Sequence, residues 1–139
     1  MRPIKFRAKR VDNDKWVFGD YFKTPLTDEN SGTKPEVGWF FLTGEPRHCI
    51  SENGIACVVD EKTLGQFTSL TDKNGKEIWE GDILESNEDK RHKFIVKFQA
   101  AKFIAAYHNN TAHDFNLGDS HTSRFEVLGD IYQNPELLK

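Results

Sequence analysis

The tightest constraint on the fold lies in GQFTSLTDKNGKEIWEGDILE, residues 65–85, where an Asn-Gly pair is flanked on both sides by apolar and β-branched residues. Both central positions of a type I′ hairpin turn need positive φ, and Asn followed by Gly tolerates that best. Asn74-Gly75 therefore predicts a two-residue loop between antiparallel strands. That register sets Leu70 opposite Trp79, a cross-strand aliphatic–aromatic pair of the kind that builds a core. Gly81 then falls inside the returning strand, where a glycine marks a bulge or a close backbone approach.

The rest of the chain is written in the same grammar. Ile4, Phe6 and Ala8 alternate with Lys5, Arg7 and Lys9, the period of a strand with one face buried and one in water. The turn VDNDK returns the chain into WVFGDYF and closes a first hairpin. EVGWFFLT, RHCIS and IACVV are short strand candidates, the last two separated by Asn53-Gly54. Asp60, ahead of EKTL, is placed to cap a single helical turn. KFIVKF and KFIAAY read as two strands joined at residues 99–102, with one amphipathic helix as the alternative, because short apolar runs are ambiguous by period. RFEVLGDIY is a final strand and NPELLK a closing helical turn. Residues 24–36 and 108–123 are polar, turn-rich and predict long loops. Many short strands with turns between them predict a mainly β chain with little helix, as a strongly bent sheet or a small barrel-like core in a single unit over residues 1–139.

Composition narrows the class. At 139 residues, 37% hydrophobic and 29% charged, the chain can bury a real core as a soluble domain. It has no apolar run of about 18 residues, the length a spanning helix needs. MRPIKFRAKR has no apolar signal core, so the chain is expected to stay in the cytoplasm where it is made. Cys49 and Cys57 flank the Asn53-Gly54 turn. With those two residues as the loop, Cys49 faces Val58 and Cys57 faces Ile50, which makes the thiols diagonal neighbours and argues against a disulfide. The pair also lacks the short spacing and the partners of a zinc site.

Three constellations invite a chemical reading. Gly-Asp recurs inside aromatic runs at residues 19–20, 81–82 and 129–130. Asp20, Asp82 and Asp130 could form a carboxylate site, but glycines that bend strands explain the recurrence more simply, since buried unpaired carboxylates are costly. His108, His113, Asp114, Asp119 and His121 crowd YHNNTAHDFNLGDSH, and imidazole with carboxylate is what zinc or iron would use in a metal-dependent hydrolase. The spacing matches no closed zinc motif, and loops select Asn, Asp and His for turn formation alone. Lys5, Arg7 and Lys9 share a strand face that could follow a phosphate backbone. Residues 11–139, however, carry fourteen basic against twenty-two acidic side chains and repel polyanions. The bland reading of that face is a solvated strand whose charges protect an edge.

MRPIKFRA followed by GDYF, then VDEKTLGQFTSLTDKNGKEIWEGDIL and FEVLGDIYQNPELL, resemble the YopX family of bacteriophage and prophage proteins. The central block carries the resemblance most specifically, with Asp-Lys-Asn-Gly and Glu-Gly-Asp-Ile in one register. Ser69 stands where members of that family often carry glycine. The resemblance implies a mainly β protein of a bacterial host's cytoplasm with a barrel-like portion and a tendency to oligomerise. It implies no catalytic, cofactor-binding or metal-binding residues.

Function is therefore expected from surface rather than from chemistry. Fourteen Phe and Trp side chains are more than one small core readily covers, and Trp39, Phe40 and Phe41 are consecutive, so a strand there must present aromatics on both faces. The expectation is a non-enzymatic, self-associating protein-interaction module that works with itself and with a phage or host protein. A nucleic-acid-binding regulator using the basic first strand is the alternative.

Overall fold

Residues 4–24, 47–88, 90, 92–108, 114–118 and 122–139 are described by a computed structural model of the chain. The protein is mainly β, built of antiparallel strands, and among the described residues helix is limited to short 3-10 turns. Among the described residues no sheet closes into a barrel. Two compact units divide the chain: Phe6–Leu64, and Gly65–Lys139 together with Ile4 and Lys5. The expected strand EVGWFFLT and residues 25–36 of the expected 24–36 loop lie outside the described residues.

The first unit is an antiparallel meander of β1 (Phe6–Lys9), β2 (Trp16–Lys23), β3 (His48–Glu52) and β4 (Ile55–Val58). Its core gathers Ala8, Val17, Ile50, Cys57 and Val59, flanked by Phe6 and Leu64. Asn53 (φ 51°) and Gly54 (φ 81°) make the expected two-residue turn, with Glu52 opposite Ile55. Cys49 accordingly faces Val58 and Cys57 faces Ile50, and both thiols are free. Gly19 is required by a close approach, because a Cβ there would lie 1.9 Å from the backbone oxygen of Ser51. Asp60 caps the 3-10 turn Glu61–Thr63 by accepting from the Lys62 amide at 3.0 Å.

The first strand departs from the expected pattern. Arg7 and Lys9 are buried beside Ala8, whereas Ile4 is 69% exposed. The Arg7 guanidinium lies 4.5 Å from the Trp16 ring centroid, and the Lys9 ammonium 5.7 Å from it. Long basic side chains bury their stems along apolar surface and set their charge over an aromatic face, so alternation of charge along a strand need not mean a solvated face.

The second unit holds the hairpin β5 (Gly65–Thr71) and β6 (Glu77–Trp79). It also holds a five-stranded sheet made of β7 (Asp82–Ser86), β8 (Lys93–Gln99), β9 (Lys102–Tyr107), β10 (Phe115–Asn116) and β11 (Phe125–Asp130), ordered β10-β9-β8-β7-β11. The core contains Leu70, Ile78, Leu84, Phe94, Val96, Ala105, Phe125 and Val127. At roughly 1.5 to 3 kcal/mol for each large apolar side chain taken out of water, this cluster is a principal source of the unit's stability. Residues 93–107 form two strands, as the periodicity suggested, and a 3-10 turn closes the chain at Pro135–Leu138. The expected loop 108–123 contains a short strand, β10, paired to Ala105 and Ile104.

The central hairpin keeps its two strands but not its predicted register. Trp79 faces Phe67 instead of Leu70, with ring centroids 5.1 Å apart, and Thr71 faces Glu77. Thr68, Ser69 and Leu70 together bulge opposite Ile78. The Thr68 hydroxyl donates to the Ile78 carbonyl at 2.7 Å and accepts from the Leu70 amide at 3.1 Å, and Ser69 takes φ 67°. Gly81 (φ 91°) lies in the turn between β6 and β7, outside either strand, where a Cβ would stand 3.0 Å from a Tyr132 ring carbon.

Candidate functional site

The bulge and the end of a neighbouring hairpin enclose a cleft in the second unit. A cleft of about 390 Å³ opens between Phe67, Thr68, Ser69 and Leu70 on one side and Phe98, Ala101, Lys102 and Phe103 on the other, with Ile4, Gln66, Leu117 and Gly118 completing its walls. Its volume falls in the range of ligand and side-chain pockets, and such sites are mostly apolar with a few polar groups. Ile4 and Phe98 stand at 69% and 48% exposure beside it, and the Phe98 and Phe103 rings lie 4.9 Å apart. Lys102 is the cation of the lining.

Local chemistry explains both walls. Asp72, which sequence reasoning overlooked, decides the first. One of its carboxylate oxygens accepts from the Asn74 and Lys76 amides at 2.8 and 2.9 Å, and the other accepts from the Val127 amide at 2.9 Å. The loop is thereby wider than a two-residue turn and is tied to β11, and the Lys73 amide adds a bond to the Phe125 carbonyl at 3.1 Å. Burial pushes the Asp72 carboxyl up, but amide bonds from Val127, Lys76 and Asn74 and the nearby Lys76 charge outweigh it, so it stays below the usual carboxylate range. The second wall ends in a tight turn in which Ala100 and Ala101 both adopt positive φ, 51° and 62°, between paired Gln99 and Lys102.

The Gly-Asp aspartates are divided between the two units. Asp20 is exposed on β2 in the first unit, paired to Ser51. Asp82 and Asp130 are buried and directly opposite each other on β7 and β11, but each serves backbone amides. Asp82 accepts from Trp79 at 2.7 Å, and Asp130 accepts from Tyr132 and Gln133 at 2.9 and 2.8 Å. Gly129 follows a one-residue bulge in β11, and a Cβ there would meet the Asn134 side chain at 2.3 Å. In the histidine-rich loop, His108 and Asp114 are exposed, while His113, Asp119 and His121 lie outside the described residues. Among the described residues no three His, Cys, Asp or Glu side chains gather as a metal site would require.

The basic residues of the first strand are committed to rings and carboxylates. Lys5 sits 4.6 Å from the Phe67 centroid and 5.3 Å from that of Trp79, and bonds Glu77 at 2.8 Å. With Arg7 and Lys9 buried against Trp16, the row expected to face solvent packs on rings instead. In the first unit one relay-like chain also escaped sequence reasoning: the Tyr21 hydroxyl lies 2.6 Å from His48 Nδ1, and His48 Nε2 lies 2.5 Å from Glu61. Both contacts are satisfied when Nδ1 accepts the phenol proton and Nε2–H donates to Glu61. Burial, then the Glu61 and Cys49 charges, push the Tyr21 phenol above its ordinary value, the opposite of what an activated nucleophile needs. Burial likewise pushes up the Cys49 thiol, which lowers its thiolate fraction.

Two units of antiparallel strands, the second with a cleft of mixed lining, define a mainly β protein. The profile of the YopX protein family matches residues 5–139, and the chain belongs to that family. Its fold is similar to the crystal structure of protein EF1440 from Enterococcus faecalis, at 23% identity and TM-score 0.56 over 100% of both chains. It is also matched by the crystal structure of protein yopX from Bacillus subtilis, at 18% identity and TM-score 0.47 over 97% of this chain and 95% of that one. No curated protein matches.

Proposed function

We propose that this YopX family member is a non-catalytic protein-interaction module that self-associates through the cleft of its second unit, in an accessory function of a phage or prophage within the bacterial cytoplasm. The observation that carries this reading is the pair of exposed apolar side chains, Ile4 and Phe98, at the rim of a cleft whose floor is Phe67, Leu70 and Phe103. Exposed apolar side chains beside a concave site with polar groups in its walls fit the anatomy of an interface centre, where a few desolvated side chains carry most of the binding energy. The sequestered basic strand and the acidic remainder of the chain weigh against the alternative, a nucleic-acid-binding regulator. The histidine loop supplies the least favoured reading, a metal-dependent hydrolase.

Light scattering on a sizing column tests the proposal. The wild-type chain should run as a multimer that dilutes to monomer. Phe98→Ser with Ile4→Ser should run as monomer at the same concentration while keeping its melting temperature. A wild-type chain that is monomeric at about 0.1 mM, well above typical interaction constants, counts against self-association.

A further inference from the structure

The five-stranded sheet carries a second, smaller hollow independent of the cleft. Phe94, Tyr107, Phe115 and Phe125, one each from β8, β9, β10 and β11, line a pocket of about 100 Å³. Phe94 is the hub, its ring centroid 4.4 Å from Tyr107, 5.7 Å from Phe115 and 5.4 Å from Phe125. Phe94 and Phe125 are buried, whereas Phe115 is 40% exposed, so the pocket has a fixed floor and an open wall. The volume suits one side chain or a small ring and no more.

The mouth is polar. Arg124, 53% exposed, meets Glu88 with its Nε at 4.0 Å, the outer limit of an ion pair, so its guanidinium keeps donors for a second acceptor. Aromatic walls favour an apolar or aromatic body, and a carboxylate is the group whose geometry a guanidinium matches with two parallel bonds.

We infer that this pocket binds an apolar side chain carrying a neighbouring free carboxylate, with the ring or branched chain among the four aromatics and the carboxylate on Arg124. Both a small aromatic acid and the C-terminal residue of a peptide have this chemistry. The test is a titration followed by backbone NMR shifts, with N-acetyl-phenylalanine, its C-terminal amide and a pentapeptide ending in phenylalanine as probes. The acid should saturate shifts at Ser86, Tyr107, Phe115 and Phe125 with a dissociation constant on the order of 1 mM. The amide should bind about tenfold more weakly, because it lacks the charge-assisted bonds. Arg124→Gln, a change at an exposed side chain, should reduce the acid to the level of the amide, and Phe115→Ala should weaken both without lowering the melting temperature. A pentapeptide that binds tighter than the free acid assigns the pocket to a chain terminus, and equal binding assigns it to small acids. Absence of saturable shifts at about 10 mM acid, equal binding of acid and amide, or an acid preference that survives Arg124→Gln overturns the inference.

Discussion

Asn53-Gly54 and Asn74-Gly75 are the same dipeptide in two hairpins of one chain, and they do different things. The first makes the tight turn that its sequence specifies, with both residues at positive φ and Glu52 opposite Ile55. In the second only Gly75 takes positive φ, the loop runs from Asp72 to Lys76, and the strand before it bulges through three residues. The difference is Asp72. The Asn53 turn is bordered by Glu52 and Ile55, whereas the Asn74 loop has a short carboxylate positioned to collect two amides of its own loop and one from β11. A turn dipeptide contributes a few tenths of a kcal/mol to about 1 kcal/mol, and three charge-assisted bonds in a buried place outweigh that. The bulge that results is one wall of the cleft.

The largest effect should come from removing what holds the altered register. Trp79→Ala deletes the ring tilted against Phe67 and under Lys5, and should cost about 3 to 5 kcal/mol in unfolding free energy. Wild-type stability in that variant would mean the observed pairing is not a core contact. Asp72→Ala comes next, at about 2 to 3 kcal/mol, because it strands three amides, two in the loop and one on β11. Asp72 also makes the comparison pH-dependent. Its folded pKa lies below the unfolded value, so its contribution is present above the ordinary carboxylate range and is lost as the pH falls through the folded pKa. Asp72→Ala should therefore flatten the acid limb of the stability curve, and an unchanged limb would show that another carboxylate sets it.

Smaller effects sharpen the contrast from the other side. The β8–β9 hairpin has the tight geometry without the turn residues, since Ala100 and Ala101 both sit at positive φ. Replacing them with Asn-Gly should stabilise the unit by about 1 kcal/mol, because left-handed alanine is strained by roughly that much per residue, offset in part by the freedom glycine adds to the unfolded chain. Ser69→Gly, at φ 67° in the bulge, should gain about 0.5 kcal/mol by the same reasoning, and thermal melts of the two variants would rank them.

Much of the fold was legible because it depends on local pattern. The strands at residues 48–58 and 93–107 follow from short apolar runs and turn punctuation, and the diagonal cysteines follow from turn register alone. What was not legible depends on partners distant in sequence. Nothing near Asp72 marks Val127 as its partner, and nothing near Arg7 and Lys9 announces that Trp16 will cover them. The alternation of Lys5, Arg7 and Lys9 is a true strand signal but an unreliable guide to which face meets water, because a basic side chain over a ring satisfies the same pattern as one in solvent. Ser69 is the instructive intermediate. It holds the positive φ that glycine would supply, at the position where the resemblance leads one to expect glycine. The cleft itself had no sequence signature, since its walls come from four segments, Ile4, residues 66–70, residues 98–103 and residues 117–118.

Hydrogen–deuterium exchange at two protein concentrations tests the central claim most directly. If the cleft is where copies meet, amides at residues 67–70 and 98–103 should become more protected as concentration rises tenfold, while those of the Asn53-Gly54 turn do not change. Protection that is independent of concentration at the cleft, or that rises elsewhere and not there, would contradict the account.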